Sequence, residues 1–287
     1  MKAASILALC TSAVAAVISS PSDGNSQNLP RVPTSYESAV MGRRILALTP
    51  LGTIATVFPY DEKKSTNDGA DAQENRPAGL GGMPSGLMEY IADCEGEAGI
   101  DDIGNPTILA LNIEINFKNA AAGSNVSLAV QWTPPHPPAK QIKSTVMGRI
   151  LSSLGFGDDK DDQASTAAAA ALPYSAANLP RFSLLGHIER IEGGDDRTSD
   201  VGAKLASCFV KTHPDARYWL PGNRIHESHF VRLVVEQVYW IGGFGDRAYI
   251  GWIPVEEWNN VRRAEWESIT LPGEKKGWKE WSVQEDL

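Results

Sequence analysis

Three residue types are scarce in this 287-residue chain, which has three cysteines, five histidines and five methionines. With so few thiols, no catalytic signature around any of them and no Gly-x-Ser-x-Gly elbow, nucleophilic hydrolysis has no support. One histidine pair sits at short spacing, His226 and His229, but it falls at a loop-to-strand junction. No third ligand stands at a convincing distance along the chain, so a metal centre is not expected. Basic charge is also short, with 26 Lys and Arg against 35 Asp and Glu and a formal net charge of −9. No basic cluster is present that could neutralise a row of phosphates, which argues against nucleic-acid binding. Long apolar runs are missing apart from residues 3–18, and that run is shorter than the ~20 residues a bilayer span requires. No integral membrane segment is expected.

What the apolar run does match is a secretory signal peptide: Lys2 precedes it, and Ala13 and Ala15 supply small residues near a cleavage point at Ala15 or Ala16. Residues 1–16 are therefore read as signal and residues 17–34, rich in Ser, Pro and Asn, as a disordered segment. The expected location is extracellular, or the endolysosomal or vacuolar lumen reached through the secretory pathway. Cys10 leaves with the signal, so Cys94 and Cys208 remain as a single pair. Either a disulfide or two buried thiols would suit them.

Thr34 and Glu37 have capping-box spacing and predict a helix over residues 35–46. Residues 52–58 read as a first strand, residues 60–86 as a polar insertion and residues 87–94 as a second strand. Leu109, Leu111, Ile113, Ile115 and Phe117 alternate with polar or small residues, and so do Val126, Leu128, Val130 and Trp132. Alternation of this kind predicts two half-buried strands joined as a hairpin. Asn125, at the edge of the intervening turn, heads the one N-glycosylation sequon, Asn125-Val126-Ser127.

Residues 133–180 carry Pro-rich, acidic and Ala-rich stretches and read as a second insertion. Asp158, Asp159, Asp161 and Asp162 lack the central Gly and closing Glu of a calcium loop. A strand at residues 182–191 follows, then a helix from about residue 201 with Asp200 as its N-cap, then strands at 228–241 and 247–253. Strands joined mainly by short connections favour a small antiparallel barrel over a doubly wound sheet. The domain is placed at residues 35–262, with a Trp-containing tail at 263–287.

Gly243-Phe244-Gly245 and Ala248 fit the letters of a dinucleotide fingerprint, but strand residues follow where a helix is required. The glycines are read as a tight turn. His213, before Pro214, is read as capping a helix end.

The order and spacing of several short motifs resemble the CREG family of secreted glycoproteins. These relatives of pyridoxamine 5′-phosphate oxidase have the FMN-binding split β-barrel fold. The motifs are Leu51-Gly-Thr-Ile-Ala-Thr56, Gly82-Met-Pro-Ser-Gly-Leu-Met-Glu-Tyr-Ile91, Gly104-Asn-Pro-Thr107, Phe209-Val-Lys-Thr-His-Pro214 and Pro254-Val-Glu-Glu-Trp258. Ser228-His-Phe-Val-Arg-Leu233 with Gly242-Gly-Phe-Gly245 also resembles the haem-utilisation branch of that fold. The resemblance covers residues 35–261 in pieces. It implies a mostly β protein with flanking helices, a homodimer, and any ligand site at the dimer interface.

In the oxidase branch, cationic and hydroxyl side chains on the second strand and following helix hold the FMN phosphate. Here residues 91–98 carry Asp93, Glu95 and Glu97 and no cation. No cofactor is therefore expected, and the resemblance points to a non-catalytic binding or regulatory protein whose ligand is unknown. The alternative is an FMN- or haem-binding oxidoreductase, with His226 or His229 contacting the cofactor.

Overall fold

Thr34 starts the first helix as its spacing requires: its hydroxyl accepts the Glu37 N–H at 3.2 Å, and the Glu37 carboxylate accepts the Thr34 N–H at 2.8 Å. Helix α1 (Ser35–Leu48) then buries Ala39, Gly42, Arg43, Ile45 and Leu46 along one face. The computed structural model describes residues 31–60, 77, 79–138, 176–245 and 247–278.

Among the described residues seven strands follow: β1 (Leu51–Val57), β2 (Pro84–Ala92), β3 (Thr107–Leu111), β4 (Val126–Gln131), β5 (Arg181–Arg190), β6 (Ser228–Ile241) and β7 (Ile250–Ile253). Their order is β3-β2-β1-β4-β5-β6-β7, and β3 also pairs with β6. The first six strands thus close into an antiparallel barrel, and β7 extends β6 outside it. Closure depends on the length of β6, whose first residues pair with β3 and whose last pair with β7, while β5 runs along the other edge. A register shift at Leu185/Gly186 accommodates the bend, and a Cβ at Gly186 would stand 1.8 Å from the Val234 carbonyl oxygen.

Ile54, Ile91, Ile108, Leu128, Leu184 and Leu233 fill the barrel. A second cluster packs helix α4 (Asp200–Thr212) on the outside of β3 and β6 through Leu205 and Phe209. Cys94 and Cys208 are bridged, which decides between the two readings left open by the sequence and ties α4 to the end of β2. Short helices α2 (Glu95–Ala98), α3 (Ile115–Ala121), α5 (Val255–Asn260) and α6 (Arg263–Ser268) complete the body.

The expected hairpin of residues 109–132 does not form. β3 stops at Leu111 and α3 begins at Ile115; β3 pairs with β2 and β6, whereas β4 pairs with β1 and β5. Asn116, which alternation assigned to a wet strand face, and Asn119, read as the start of the connecting turn, are buried one helical turn apart and spend their amides on side chains inside the barrel. Their i, i+3 spacing is the helical signal that the apolar alternation masked.

Smaller differences follow local chemistry. Ser199 rather than Asp200 caps α4, accepting the Gly202 N–H at 2.9 Å. β2 begins at Pro84, inside the segment read as an insertion. Packing continues past residue 262, because Trp266 and Leu271 enter the core. The borders of the second insertion also meet that region: Trp132 Nε1 donates to the Pro272 carbonyl at 2.8 Å and Trp278 Nε1 to that of His136 at 2.7 Å. Residues 1–30, 61–76, 78, 139–175, 246 and 279–287 lie outside the described residues, and with them fall the signal, most of the 17–34 segment, most of both insertions and the end of the tail.

Candidate functional site

Two places were expected to matter: the turn after β2, where relatives hold a phosphate, and the start of β6 with its two histidines. At the first, the carboxylates are not a free negative wall. Glu95 is fully buried, and its Oε2 accepts backbone N–H groups of Ile103 at 3.1 Å and Asn105 at 3.0 Å. Asn105 in turn accepts the Val235 N–H through Oδ1 at 2.9 Å, so Glu95 stitches α2 to the loop that enters β3 and on to β6.

Cations also arrive from distant parts of the sequence. Arg232 stands 3.8 Å from Glu95, and Glu97 faces Arg263 at 3.5 Å and Lys211 at 3.9 Å. Arg43, fully buried, pairs with Asp102 and donates to the Trp258 carbonyl at 3.3 Å. Burial pushes Asp93 up to about 6, with Arg43 acting in the opposite direction. The repulsion inferred from residues 91–98 alone is therefore largely offset by charges that the fold supplies. It gives no ground by itself for excluding an anion.

At the second place, Asp195 and residues 221–229 line a cleft of about 370 Å³. His229 is held there from both sides: Nδ1 lies 2.9 Å from Asp195 Oδ2 and Nε2 3.4 Å from Glu227 Oε1. Arg190 touches the same Nδ1 and stands 3.4 Å from Asp195, whose other oxygen accepts the Phe230 N–H at 2.9 Å. His226 is exposed in the turn that Asn223 organises by accepting the backbone N–H groups of Ile225 and His226.

The structure thus brings the two histidines to one cleft but commits the ring of His229. As an axial ligand to haem through Nε2, His229 would exchange only its longer contact to the exposed Glu227, while Asp195 would keep Nδ1 in place. A phosphate cradle is not formed by the buried Glu95. Among the described residues no group of three His, Cys, Asp or Glu side chains is placed to hold a metal ion.

His213 serves packing: its Nε2 lies 2.9 Å from the Ile91 carbonyl oxygen and its ring stacks on Tyr90 at 4.4 Å. No helix follows Gly243 and Gly245; Gly243 takes φ 145° in the turn and β7 comes next. Asn125 is exposed at the entry to β4.

Sequence reasoning missed a buried polar chain at one end of the barrel, formed by Thr56, Glu89, Glu114, Asn116 and Asn119. A signal for it existed, since Glu89 occupies an inward position of β2, two residues from Ile91. The outer face of β1, β2 and β4 is a further unread feature. Leu51, Val57 and Met88 are 42%, 42% and 55% exposed there around small residues at Ala55, Gly86 and Ala129. A groove of about 340 Å³ runs between that face and the end of α1.

The family model described as CREG, beta-barrel, matches residues 33–260. The chain belongs to the CREG β-barrel family. Its closed antiparallel barrel with flanking helices agrees with the β-barrel that the family description names. No curated protein matches the chain.

Solved structures similar to this CREG-family chain include a haem-binding protein from Mycobacterium smegmatis, at 18% identity over 79% of this chain and 60% of that one, with a TM-score of 0.45. Another is the haem storage protein HutZ from Vibrio cholerae, at 12% identity over 71% of this chain and 92% of that one, with a TM-score of 0.36. A third, an FAD- and haem-binding protein from Mycobacterium smegmatis, has 14% identity over 74% of this chain and 79% of that one, with a TM-score of 0.36.

Proposed function

We propose that this CREG-family chain is a lumenal or secreted binding or regulatory protein, glycosylated at Asn125, that works as a homodimer without redox chemistry of its own. One observation carries the reading: at the expected phosphate position stands Glu95, fully buried and held by two backbone amides, where a dianion would need a cation or hydroxyl. The Cys94–Cys208 bridge supports an oxidising compartment, and the exposure of Asn125 allows an oligosaccharyltransferase to reach it. Self-association is supported by the apolar outer face of β1, β2 and β4, whose small central residues would let a second sheet approach closely.

The second reading, an FMN- or haem-binding oxidoreductase, is favoured by the convergence of His226 and His229 on one cleft. An absorption spectrum of protein purified from the secreting host separates the two. The first reading expects a colourless protein whose spectrum is unchanged when FMN or haem is added. Stoichiometric FMN or haem released on denaturation would overturn it. Light scattering tests the dimer: wild type is expected at twice the monomer mass and Met88→Glu at the monomer mass, whereas a monomeric wild type removes that part of the reading.

A further inference from the structure

The polar chain at the barrel end has a direction. Asn119 Nδ2 donates to Thr56 Oγ1 at 3.1 Å, Thr56 Oγ1 donates to Asn116 Oδ1 at 3.2 Å, and Asn116 Nδ2 donates to Glu89 Oε1 at 3.0 Å. Asn116, Asn119, Thr56 and Glu89 are 0%, 1%, 2% and 7% exposed, so water does not complete the network. It ends at Glu114, the N-cap residue of α3, whose carboxyl group is hydrogen-bonded to that of Glu89 and whose buried Oε2 has no partner. Two ionised carboxylates have no donor to share. The contact between Glu89 and Glu114 therefore requires a proton between them, and the orphan oxygen of Glu114 also favours the neutral acid.

The surrounding elements bring few other charges. β1, β3 and β4 carry no titratable side chain. Besides Glu89, β2 offers Tyr90, which donates to Asp215 at 2.8 Å. α3 offers Lys118, one turn beyond Glu114. Across the turn that joins β3 to α3 lie His226 and Glu227, reached through the Asn112 N–H, which donates to the Glu227 carbonyl at 3.1 Å; the Glu227 side chain faces His229.

We propose that Glu89 and Glu114 form a proton-dependent latch that holds α3, and with it the turn at residues 112–114, on the barrel under acidic conditions and loosens it as the shared proton is lost. Burial, then the neighbouring Glu89, pushes Glu114 up to about 8, and burial raises Glu89 as well. In the unfolded chain a glutamate gives up its proton near ~4.3. Because the folded pair keeps a proton that the unfolded chain has lost, the stabilisation is complete below that value. It is lost progressively as pH rises through about 8. The turn at residues 112–114 abuts the strand entry that carries His226 and Glu227, so loosening it frees one wall of the histidine cleft.

Hydrogen exchange of the α3 amides, corrected for intrinsic exchange rates, tests the latch in the full chain. In wild type the opening equilibrium is expected to grow by up to about tenfold per pH unit between about pH 5 and 8, the limit for one linked proton. Glu114→Gln keeps the shape and donates permanently to Glu89, so its profile is expected to be much flatter than that of wild type, whereas Glu89→Gln leaves the burial that chiefly raises Glu114 and is expected to flatten the profile less. Lys118→Gln is expected to keep the wild-type slope. Equal slopes in wild type and Glu114→Gln would overturn the proposal, and so would loss of the slope in Lys118→Gln, which would assign the response to an ion pair. Should a variant fail to fold, carboxyl-carbon NMR of wild type decides. One glutamate is expected to titrate with a midpoint far above the rest, and a full set of ordinary midpoints near ~4 sinks the latch.

Discussion

Arg43 of α1 pairs with Asp102, in the loop after α2, with the guanidinium wholly buried. The same guanidinium donates to the carbonyl oxygens of Trp258 and Val261 and lies 5.8 Å from the Trp258 ring, while Trp258 Nε1 donates to the Gly104 carbonyl at 3.2 Å. One side chain thus joins α1, the loop before β3 and α5. Removing either charge leaves the other uncompensated, so Arg43→Ala and Asp102→Ala are each expected to cost ~3–5 kcal/mol, with the heavier charge penalty in Asp102→Ala because it strands the fully buried guanidinium, whereas Asp102 keeps an edge in water. Urea unfolding measures this, and a loss below ~1 kcal/mol for Arg43→Ala would show that the ion pair is not what locks these elements.

Gly186 carries the bend on which barrel closure depends. Because its absent Cβ would fall against backbone rather than a flexible side chain, Gly186→Ala has to displace either β5 or β6. A loss of ~1–3 kcal/mol, the usual cost of overpacking, is expected in thermal or urea unfolding. Full wild-type stability would mean the strands relax there freely.

The Cys94–Cys208 bridge spans 114 residues of sequence and fixes α4 against the end of β2. Replacing both cysteines by serine is expected to cost roughly 2–5 kcal/mol, the range for a native bridge in a secreted domain. Thiol titration of the denatured, unreduced protein is expected to find neither sulfur free. Two titrating thiols would contradict the bridge and weaken the case for an oxidising compartment.

Much of the barrel was legible in the sequence because period-two burial in β4, β5 and β6 is a local property. Val126, Leu128 and Val130 point inward as their alternation requires, and the Thr34 and Glu37 capping box forms as spaced. The region after β3 was misread for a physical reason: inward Asn116 and Asn119 look like surface residues until Thr56 and Glu89, some thirty to sixty positions away, supply their partners. Charge was harder still. Residues 91–98 are acidic as a string, but their electrostatics are set by Arg43, Lys211, Arg232 and Arg263, which no local window contains. The histidine cleft illustrates both sides, since His226 and His229 were visible as a pair while Asp195, which fixes one of them, was not.

Asp93 gives a pH response distinct from that of the carboxyl latch. Its folded value is raised by burial from 3.8 to about 6, so the folded chain holds a proton that the unfolded chain has released across that interval. Its contribution is full below the unfolded value and disappears as pH rises through about 6. Asp93→Asn, which cannot ionise, is therefore expected to be more stable than wild type at neutral pH. The gain is up to ~2–3 kcal/mol, because a tenfold change in proton affinity between the folded and unfolded chain is worth ~1.4 kcal/mol. The difference should close below about pH 4, where wild-type Asp93 is protonated in both states. Urea midpoints at several pH values give the curve. A variant that is destabilised equally at all pH values would show that the Asp93 carboxylate is held by partners, chiefly Arg43, strongly enough to outweigh its burial.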